Sequence, residues 1–315
     1  MKMISFDEFK NAVVDEIKKY LPESYRDAEI SLKEIVKPND IRLTGLLVLK
    51  DESGAAPMVY LEEFYKMVEA GSSVADVIRK IADMRVEYDV DDLGVNEFMR
   101  FEDCKDRILP RLYSREMNDE LVNHMAYTSM EDFLILYYIE LGETDAGRLS
   151  IPIDMDILNR WGVGVDRIHS TALDNQRRLS VGTLKKMREM LGAMMLKEFG
   201  IEEGTDESME FLDCMFGPDT DDGMFVITNT SCINGASMVL DREFMDKAVE
   251  VLGDGFYVLP SSIHEVIALP DNGTMNVDEM ESMVCYINRT QLRPEEVLSD
   301  HVYRYTSERG LVRAA

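Results

Sequence analysis

The residues best placed to do chemistry lie in and just after a short polar turn between two apolar runs. The first run ends at Leu259, the turn contains Ser261 and Ser262, and the second run carries His264 and Glu265 within it. Hydroxyl, imidazole and carboxylate groups therefore lie close together in the sequence. These are the groups of a hydrolytic triad, in which a serine attacks, a histidine takes its proton and a carboxylate orients the imidazole.

The spacing of these residues argues against such a triad. Side chains alternate between the two faces of a strand, so Ser262, His264 and Glu265 would point to different faces. Neither serine lies in the GxSxG elbow that exposes a nucleophilic hydroxyl. We therefore expect no catalytic residue, and we expect the serine hydroxyls to satisfy free backbone N–H groups of the turn.

Metal-ligating residues are few and far apart. The 4 histidines show no HxH or HExxH spacing, and the 4 cysteines form no CxxC pair. His264 with Glu265 alone is too small a set for a metal centre, and a hydrogen-bonded structural histidine is the simpler interpretation. The sequence predicts neither a metal nor a cofactor.

Other polar residues lie where predicted elements end. Asn229 follows a strand predicted at 224–228, Asn234 precedes the glycine of a turn, and Asn288 ends the last long helix. If strands 224–228 and 256–259 are neighbours, their carboxyl ends meet at one crevice, a common place for a ligand. The candidate ligand-binding residues are therefore Asn229, Asn234, Ser261, Ser262, His264, Glu265 and Asn288.

The elements that position these residues fall into two groups. An N-terminal lobe, 1–95, begins with a capping box at Ser5 and continues with a hairpin, a short strand and two helices. An acidic stretch separates it from a C-terminal lobe, 96–315. The sequence predicts an α+β protein of two mixed lobes, the second with the larger sheet flanked by helices.

Four segments define the second lobe. The uncharged apolar run 133–139 predicts a strand buried on both faces. We expect a helix over 183–199, and another that begins with a capping box at Asn276. The segment 201–222 contains nine acidic residues and no Lys or Arg, which predicts a solvated loop.

Charge limits the partners of this chain. Its 61 acidic and 34 basic residues give a formal net charge of -27, which disfavours nucleic-acid phosphates and anionic membrane surfaces. No run reaches the roughly 18 to 20 apolar residues of a membrane span, so we expect a cytoplasmic protein. Two interpretations of the acidity remain open, namely solubility with a preference for basic partners, and mimicry of nucleic-acid charge.

Several strings of residues resemble an uncharacterised bacterial family, the domain of unknown function 5688. They are the Pro-Ser-Ser-Ile-His-Glu string at 260–265, Asn-Gly-Ala at 234–236, Asn-Arg-Thr-Gln at 288–291 and the segment 295–300. The layout is also distantly similar to the YtpQ-type family. The resemblance implies a bacterial cytoplasmic protein, often from anaerobic gut bacteria and sometimes carried on mobile elements. It supplies no catalytic residue.

Three function hypotheses follow. The leading one is a non-catalytic protein-binding or regulatory protein whose acidic surface favours a basic protein partner. The second is a small-molecule-binding protein or enzyme that uses a crevice near Asn229, Ser262 and His264. The third is an anti-defence inhibitor that mimics the charge of a nucleic acid.

Overall fold

The computed structural model describes residues 4–50, 56–87, 100–144, 147–216, 223–260 and 262–314. The chain divides into two compact units, Met1–Cys104 and Lys105–Ala315. The boundary that we predicted between residues 95 and 96 lies outside the described residues. Helices and antiparallel sheets occur in both units, which confirms the predicted α+β class.

The first unit is a three-stranded antiparallel sheet with helices. Its elements are α1 (Phe6–Glu16), β1 (Glu29–Lys37), β2 (Ile41–Leu49), β3 (Met58–Tyr60), α2 (Leu61–Glu69), α3 (Val74–Glu87) and α4 (Phe101–Cys104). Helix α1 begins with the predicted capping box, in which the Glu8 N–H donates to Ser5 Oγ and the Ser5 N–H donates to Glu8 Oε2. The strand order is β1-β2-β3.

The second unit begins with a four-stranded antiparallel sheet. Its strands are β4 (Ile108–Ser114), β5 (Tyr127–Met130), β6 (Phe133–Thr144) and β7 (Gly147–Pro152). Strand β6 pairs with the other three. All side chains from Phe133 to Ile139 are buried, which confirms that this apolar run is a strand covered on both faces.

A six-stranded antiparallel sheet follows in the same unit. Its strands are β8 (Gly182–Lys186), β9 (Phe225–Asn229), β10 (Tyr257–Leu259), β11 (Val266–Leu269), β12 (Tyr303–Thr306) and β13 (Gly310–Arg313). Their order is β13-β12-β10-β11-β9-β8. The neighbour relation that we considered for 224–228 and 256–259 is wrong, because β11 pairs with both β10 and β9 and lies between them. Because β9 and β10 both run antiparallel to β11, they are parallel to each other. Their carboxyl ends therefore lie at the same end of the sheet, about 10 Å apart.

Helices complete the second unit. They are α5 (Met155–Trp161), α6 (Val165–Leu179), α7 (Met187–Phe199), α8 (Asp206–Phe216), α9 (Arg242–Leu252) and α10 (Val277–Thr290). Helix α10 begins with the predicted capping box between Asn276 and Glu279. None of the helices in the described ranges combines the length and the apolarity that crossing a membrane requires.

Two segments of this unit differ from the prediction. The first part of the helix expected at 183–199 is strand β8, because Gly182 to Lys186 pair with the whole of β9. The loop expected at 201–222 contains helix α8, and residues 217–222 lie outside the described residues. Helix α8 forms because its apolar side chains recur at helical spacing, so that Phe211 and Leu212 pack on α7, while its acidic side chains remain exposed.

Candidate functional site

Asn229, the last residue of β9, organises the loop that follows it. Its Oδ1 accepts hydrogen bonds from the Ser231 N–H at 3.1 Å and the Ser231 hydroxyl at 2.9 Å. Its Nδ2 donates to the Ile233 carbonyl at 2.9 Å. The buried amide of Asn229 therefore fixes the loop as far as Ile233.

The turn between β10 and β11 is held by its own hydroxyl. The backbone N–H of His264 donates to Ser262 Oγ at 2.9 Å, as expected for a serine in a turn. The His264 carbonyl in turn accepts from Thr228 Oγ1 of β9 at 2.8 Å. Ser261, a candidate from the sequence, lies outside the described residues.

His264 joins this turn to the loop after β9. The backbone N–H of Asn234 donates to His264 Nδ1 at 3.2 Å, and His264 Nε2 lies 3.5 Å from Glu296 Oε1. Because Nδ1 accepts a hydrogen bond, the neutral imidazole carries its proton on Nε2. His264 thus links three segments of the chain.

Gly235 lets these segments approach closely. A Cβ at this position would lie 2.2 Å from Thr228 Oγ1 and 2.6 Å from the His264 carbonyl oxygen. Only a glycine leaves room for both groups. The Asn-Gly pair at 234–235 therefore permits the contact between the two loops.

Glu265 and Asn288 have separate environments. Burial raises the pKa of Glu265, and the opposing effects of the His264 charge and the Ser262 hydrogen bond do not cancel it. Asn288 Nδ2 donates to the Ser299 carbonyl at 2.9 Å and to Asp300 Oδ1 at 2.7 Å. Asn288 therefore anchors α10 to the chain before β12.

Asn229 and Asn234 line a crevice between the two sheets of the second unit. Its inner cavity, of about 20 Å³, is lined by Leu109, Pro110, Arg111, Glu140, Gln176, Ser180, Asn229, Ile233, Asn234 and Ser237. Its outer cavity, of about 270 Å³, is lined by Leu109, Glu140, Gly142, Leu179, Ser180, Asn229, Thr230 and Ser231. Ser262, His264, Glu265 and Asn288 line neither cavity, so only two candidates from the sequence meet here.

Arg111 of β4 is the charged donor of the inner cavity. Its Nη2 donates to Glu140 Oε1 and to Ser150 Oγ, each at 2.7 Å, and its guanidinium carbon lies 3.9 Å from the Tyr138 ring centroid. Burial alone would lower the pKa of Arg111, but interactions with Tyr113, Glu140 and Tyr138 outweigh it and raise the pKa. The guanidinium is therefore charged, and its Nε has no hydrogen-bond partner among the described residues.

Gln176 of α6 is the acceptor of the same cavity. Its side chain is only 1% exposed, and its Nε2 donates to the Ser237 carbonyl at 2.8 Å. That hydrogen bond fixes which end of the amide is oxygen. Within the ranges that the structure describes, Gln176 Oε1 accepts no hydrogen bond.

Arg111, Glu140 and Gln176 are not among the candidate residues that the sequence predicted. The sequence feature that could have identified Arg111 and Glu140 is a charged residue within or directly beside an apolar run. Arg111 is the one charged residue between Ile108 and Tyr113, and Glu140 directly follows the apolar run 133–139. Charged side chains are rarely buried without a partner, so such positions indicate a specific polar site. Gln176 gave no comparable signal, because the neighbouring residues of α6 are polar.

A second polar cluster contains Glu116, Asp132 and His301, whose ligand atoms lie within 4.8 Å of one another. The side chain of Arg313 contacts two members of this cluster. Its Nη2 lies 2.7 Å from His301 Nδ1, and its Nη1 lies 3.6 Å from Asp132 Oδ2. The guanidinium supplies the positive charge that a metal ion would bring, so the cluster is better suited to an arginine than to a metal ion.

Residues 6–307 match the family described as "Family of unknown function (DUF5688)". No curated protein and no solved structure matches the chain. The bacterial origin and the distant similarity to the YtpQ-type family remain predictions.

Proposed function

Since the chain belongs to the family of unknown function DUF5688, whose description names no activity, we propose from its geometry that the protein binds a small polar molecule in the crevice between its two sheets. One observation carries this proposal. A buried donor, Arg111 Nε, and a buried acceptor, Gln176 Oε1, belong to side chains that line the same cavity, and neither has a partner among the described residues.

Leaving these two groups unpaired is costly. A buried polar atom without a hydrogen bond costs about 1–3 kcal/mol. The inner cavity, at about 20 Å³, has room for about one water molecule, which would reduce that cost in the ligand-free protein. The outer cavity of about 270 Å³ lies near the lower end of the sizes typical of ligand sites. A ligand seated there would place one polar group in the position of the water.

The charges of the crevice define the class of ligand. Arg111 and Glu140 carry opposite charges and both line the inner cavity, so a ligand with a large net charge would meet a like charge. Arg111 Nε requires an acceptor, and Gln176 Oε1 requires a donor. A primary amide carries a donor and an acceptor on one carbon, and a zwitterionic amino acid carries them on two neighbouring carbons. The proposed ligand is a small metabolite of this kind with no net charge.

The test is a binding screen by thermal unfolding and calorimetry. The panel contains small amides, zwitterionic amino acids, polyols and, as a contrast, dicarboxylates. A true ligand at about 100 times its Kd should raise Tm by about 5 °C or more. Gln176→Leu has a similar volume but removes the Oε1 acceptor together with the Nε2 donor to Ser237, and should weaken the binding of that ligand about tenfold.

Gln291→Leu is the matched control, because Gln291 is an exposed glutamine in the same unit. It should leave binding unchanged. The proposal fails if no amide or zwitterion binds, or if Gln176→Leu binds the ligand as tightly as the wild type does.

A second candidate function is the protein-binding or regulatory role that the acidic composition predicts. The observation that favours it lies outside the crevice, on helices α7 and α8. Leu191, Phe199, Met209 and Met215 are each at least 40% exposed there. Exposed apolar side chains grouped on neighbouring helices are typical of a protein-binding surface.

A further inference from the structure

Helices α7 and α8 form a closely packed pair. A Cβ on Gly192 would lie 2.5 Å from Leu212 Cδ2, so the backbone of α7 lies directly against the side chain of Leu212. The rings of Phe199 and Phe211 are 5.4 Å apart between centroids. These contacts hold α7 and α8 against each other.

Large apolar side chains on this pair remain exposed to solvent. Leu191, Phe199, Met209 and Met215 together define what we call the α7–α8 surface. In the described ranges nine large hydrophobic residues are exposed, and four of them belong to this surface. Leu191 and Phe199 are eight residues apart, which places them on the same side of α7. Phe199 reaches 62% exposure, although burying it would be favourable.

Exposed carboxylates are numerous on the same two helices and on the loop that joins them. Between residues 187 and 216 there are eight acidic residues and only two basic ones, Arg188 and Lys197. Arg188 Nη2 already lies 2.5 Å from Asp213 Oδ1. All eight acidic side chains are exposed, namely Glu189, Glu198, Glu202, Glu203, Asp206, Glu207, Glu210 and Asp213. Helices α7 and α8 and the loop between them therefore expose eight carboxylates as well as the four apolar side chains of the α7–α8 surface.

We propose that the α7–α8 surface binds a basic amphipathic helix of a partner protein. The apolar side of such a helix would cover Phe199 and its neighbours, and its Lys and Arg side chains would meet these carboxylates. A helix fits better than a strand, because α7 and α8 present side chains rather than the open edge of a sheet. Met209 and Met215 add adaptable contacts. This inference rests on the second proposed function and names the chemistry of its partner.

The test uses synthetic peptides of about 18 residues, which form about five helical turns. The probe is a fluorescent Leu/Lys peptide with leucines at helical spacing. A permuted peptide of identical composition lacks that spacing, and a third peptide replaces every Lys by Glu. The full-length protein should bind the first peptide at least about tenfold more tightly than the other two.

Variants of the protein test whether the Leu/Lys peptide binds at the α7–α8 surface. Phe199→Gln/Met209→Gln should weaken the Leu/Lys peptide about tenfold or more. Val251→Gln is the matched control, because Val251 is 58% exposed on α9 in the same unit, and it should change the affinity less than twofold. Circular dichroism checks that each variant is folded.

The outcomes separate this inference from the function on which it rests. If the Leu/Glu peptide binds equally well and loses affinity in Phe199→Gln/Met209→Gln, the surface binds proteins but the basic partner is wrong. If the permuted Leu/Lys peptide binds as well as the amphipathic one, the attraction is charge alone and the docking surface is wrong. If no peptide depends on Phe199 and Met209, both the surface and the second proposed function fail.

Discussion

The backbone N–H of Asn234 donates to Nδ1 of His264 at 3.2 Å, across 30 residues of sequence. Through this hydrogen bond the imidazole supports the loop that follows Asn229 and that brings Asn234 to the crevice. His264 thus acts on the crevice from outside it, as a support for the loop.

The first prediction follows from that hydrogen bond. His264→Ala should destabilise the protein by about 1–2 kcal/mol, because the partly buried Asn234 N–H loses its acceptor. His264→Asn should recover part of this loss, since Asn Oδ1 can take the place of Nδ1 as an acceptor. Urea unfolding measures both variants. Equal stability of the Ala and Asn variants would show that the hydrogen bond contributes nothing.

Gly235 provides the second prediction. Gly235→Ala forces a methyl group into a space bounded by Thr228 Oγ1 and two backbone atoms, and should cost about 1–3 kcal/mol or more. Gly164 is the matched control, because nothing lies within 4 Å of its added Cβ. Gly164→Ala should change the free energy of unfolding by less than about 1 kcal/mol. If Gly235→Ala is as stable as this control, the close approach of Thr228 and His264 to Gly235 is contradicted.

The third prediction concerns the core of the first unit. Arg85 is 1% exposed, and its guanidinium donates to the Val48 carbonyl at 3.0 and 3.2 Å and to the Tyr25 hydroxyl at 3.1 Å. Arg85→Ala should cost about 2–4 kcal/mol, through the lost hydrogen bonds and the cavity. Arg79→Ala, on the exposed side of the same helix, should cost less than about 1 kcal/mol. Thermal unfolding of the two variants is the measurement. An Arg85→Ala protein as stable as Arg79→Ala would show that Arg85 is not needed for the stability of this core.

The fourth prediction is a pH dependence at His169. Its Nδ1 lies 2.9 Å from the Tyr137 hydroxyl and 3.2 Å from Thr128 Oγ1, and burial lowers the pKa of the imidazole below its ordinary value near 6.5. The unfolded chain then binds a proton more readily than the folded one. The stability from this site is full above about pH 6.5 and decreases as the pH falls toward the folded pKa.

The measurement for His169 compares Tm at about pH 7.5 and about pH 5.5. His169→Gln keeps a hydrogen-bonding side chain that does not titrate, so its Tm should fall less than that of the wild type over this range. Burial raises the pKa of the Tyr137 hydroxyl to about 12, so Tyr137 does not titrate in the same window. If the Tm of the wild type falls no more than that of His169→Gln over this range, the lowered pKa of His169 is contradicted.

Some features followed from the sequence because the contacts that form them are local. The capping boxes at Ser5 and Asn276 join residues three apart, so the pattern of side chains is sufficient to predict them. The run 133–139 is apolar at every position, and a strand of that kind is stable only when both faces are covered. Helix α8 was missed because the excess of acidic residues obscured the helical spacing of its apolar ones.

The crevice depended on contacts between distant segments. The apolar pattern predicts β10 and β11 as a hairpin, but it carries no information on which of them lies next to β9. Arg111, Gln176 and Asn229 come from β4, α6 and β9, and only the packing of two sheets and a helix places them around one cavity. Local sequence thus determined the capping boxes, the class of fold and the buried strand at 133–139. The tertiary structure decided which polar groups meet, because the pairing of strands far apart in the chain depends on the packing of the whole unit.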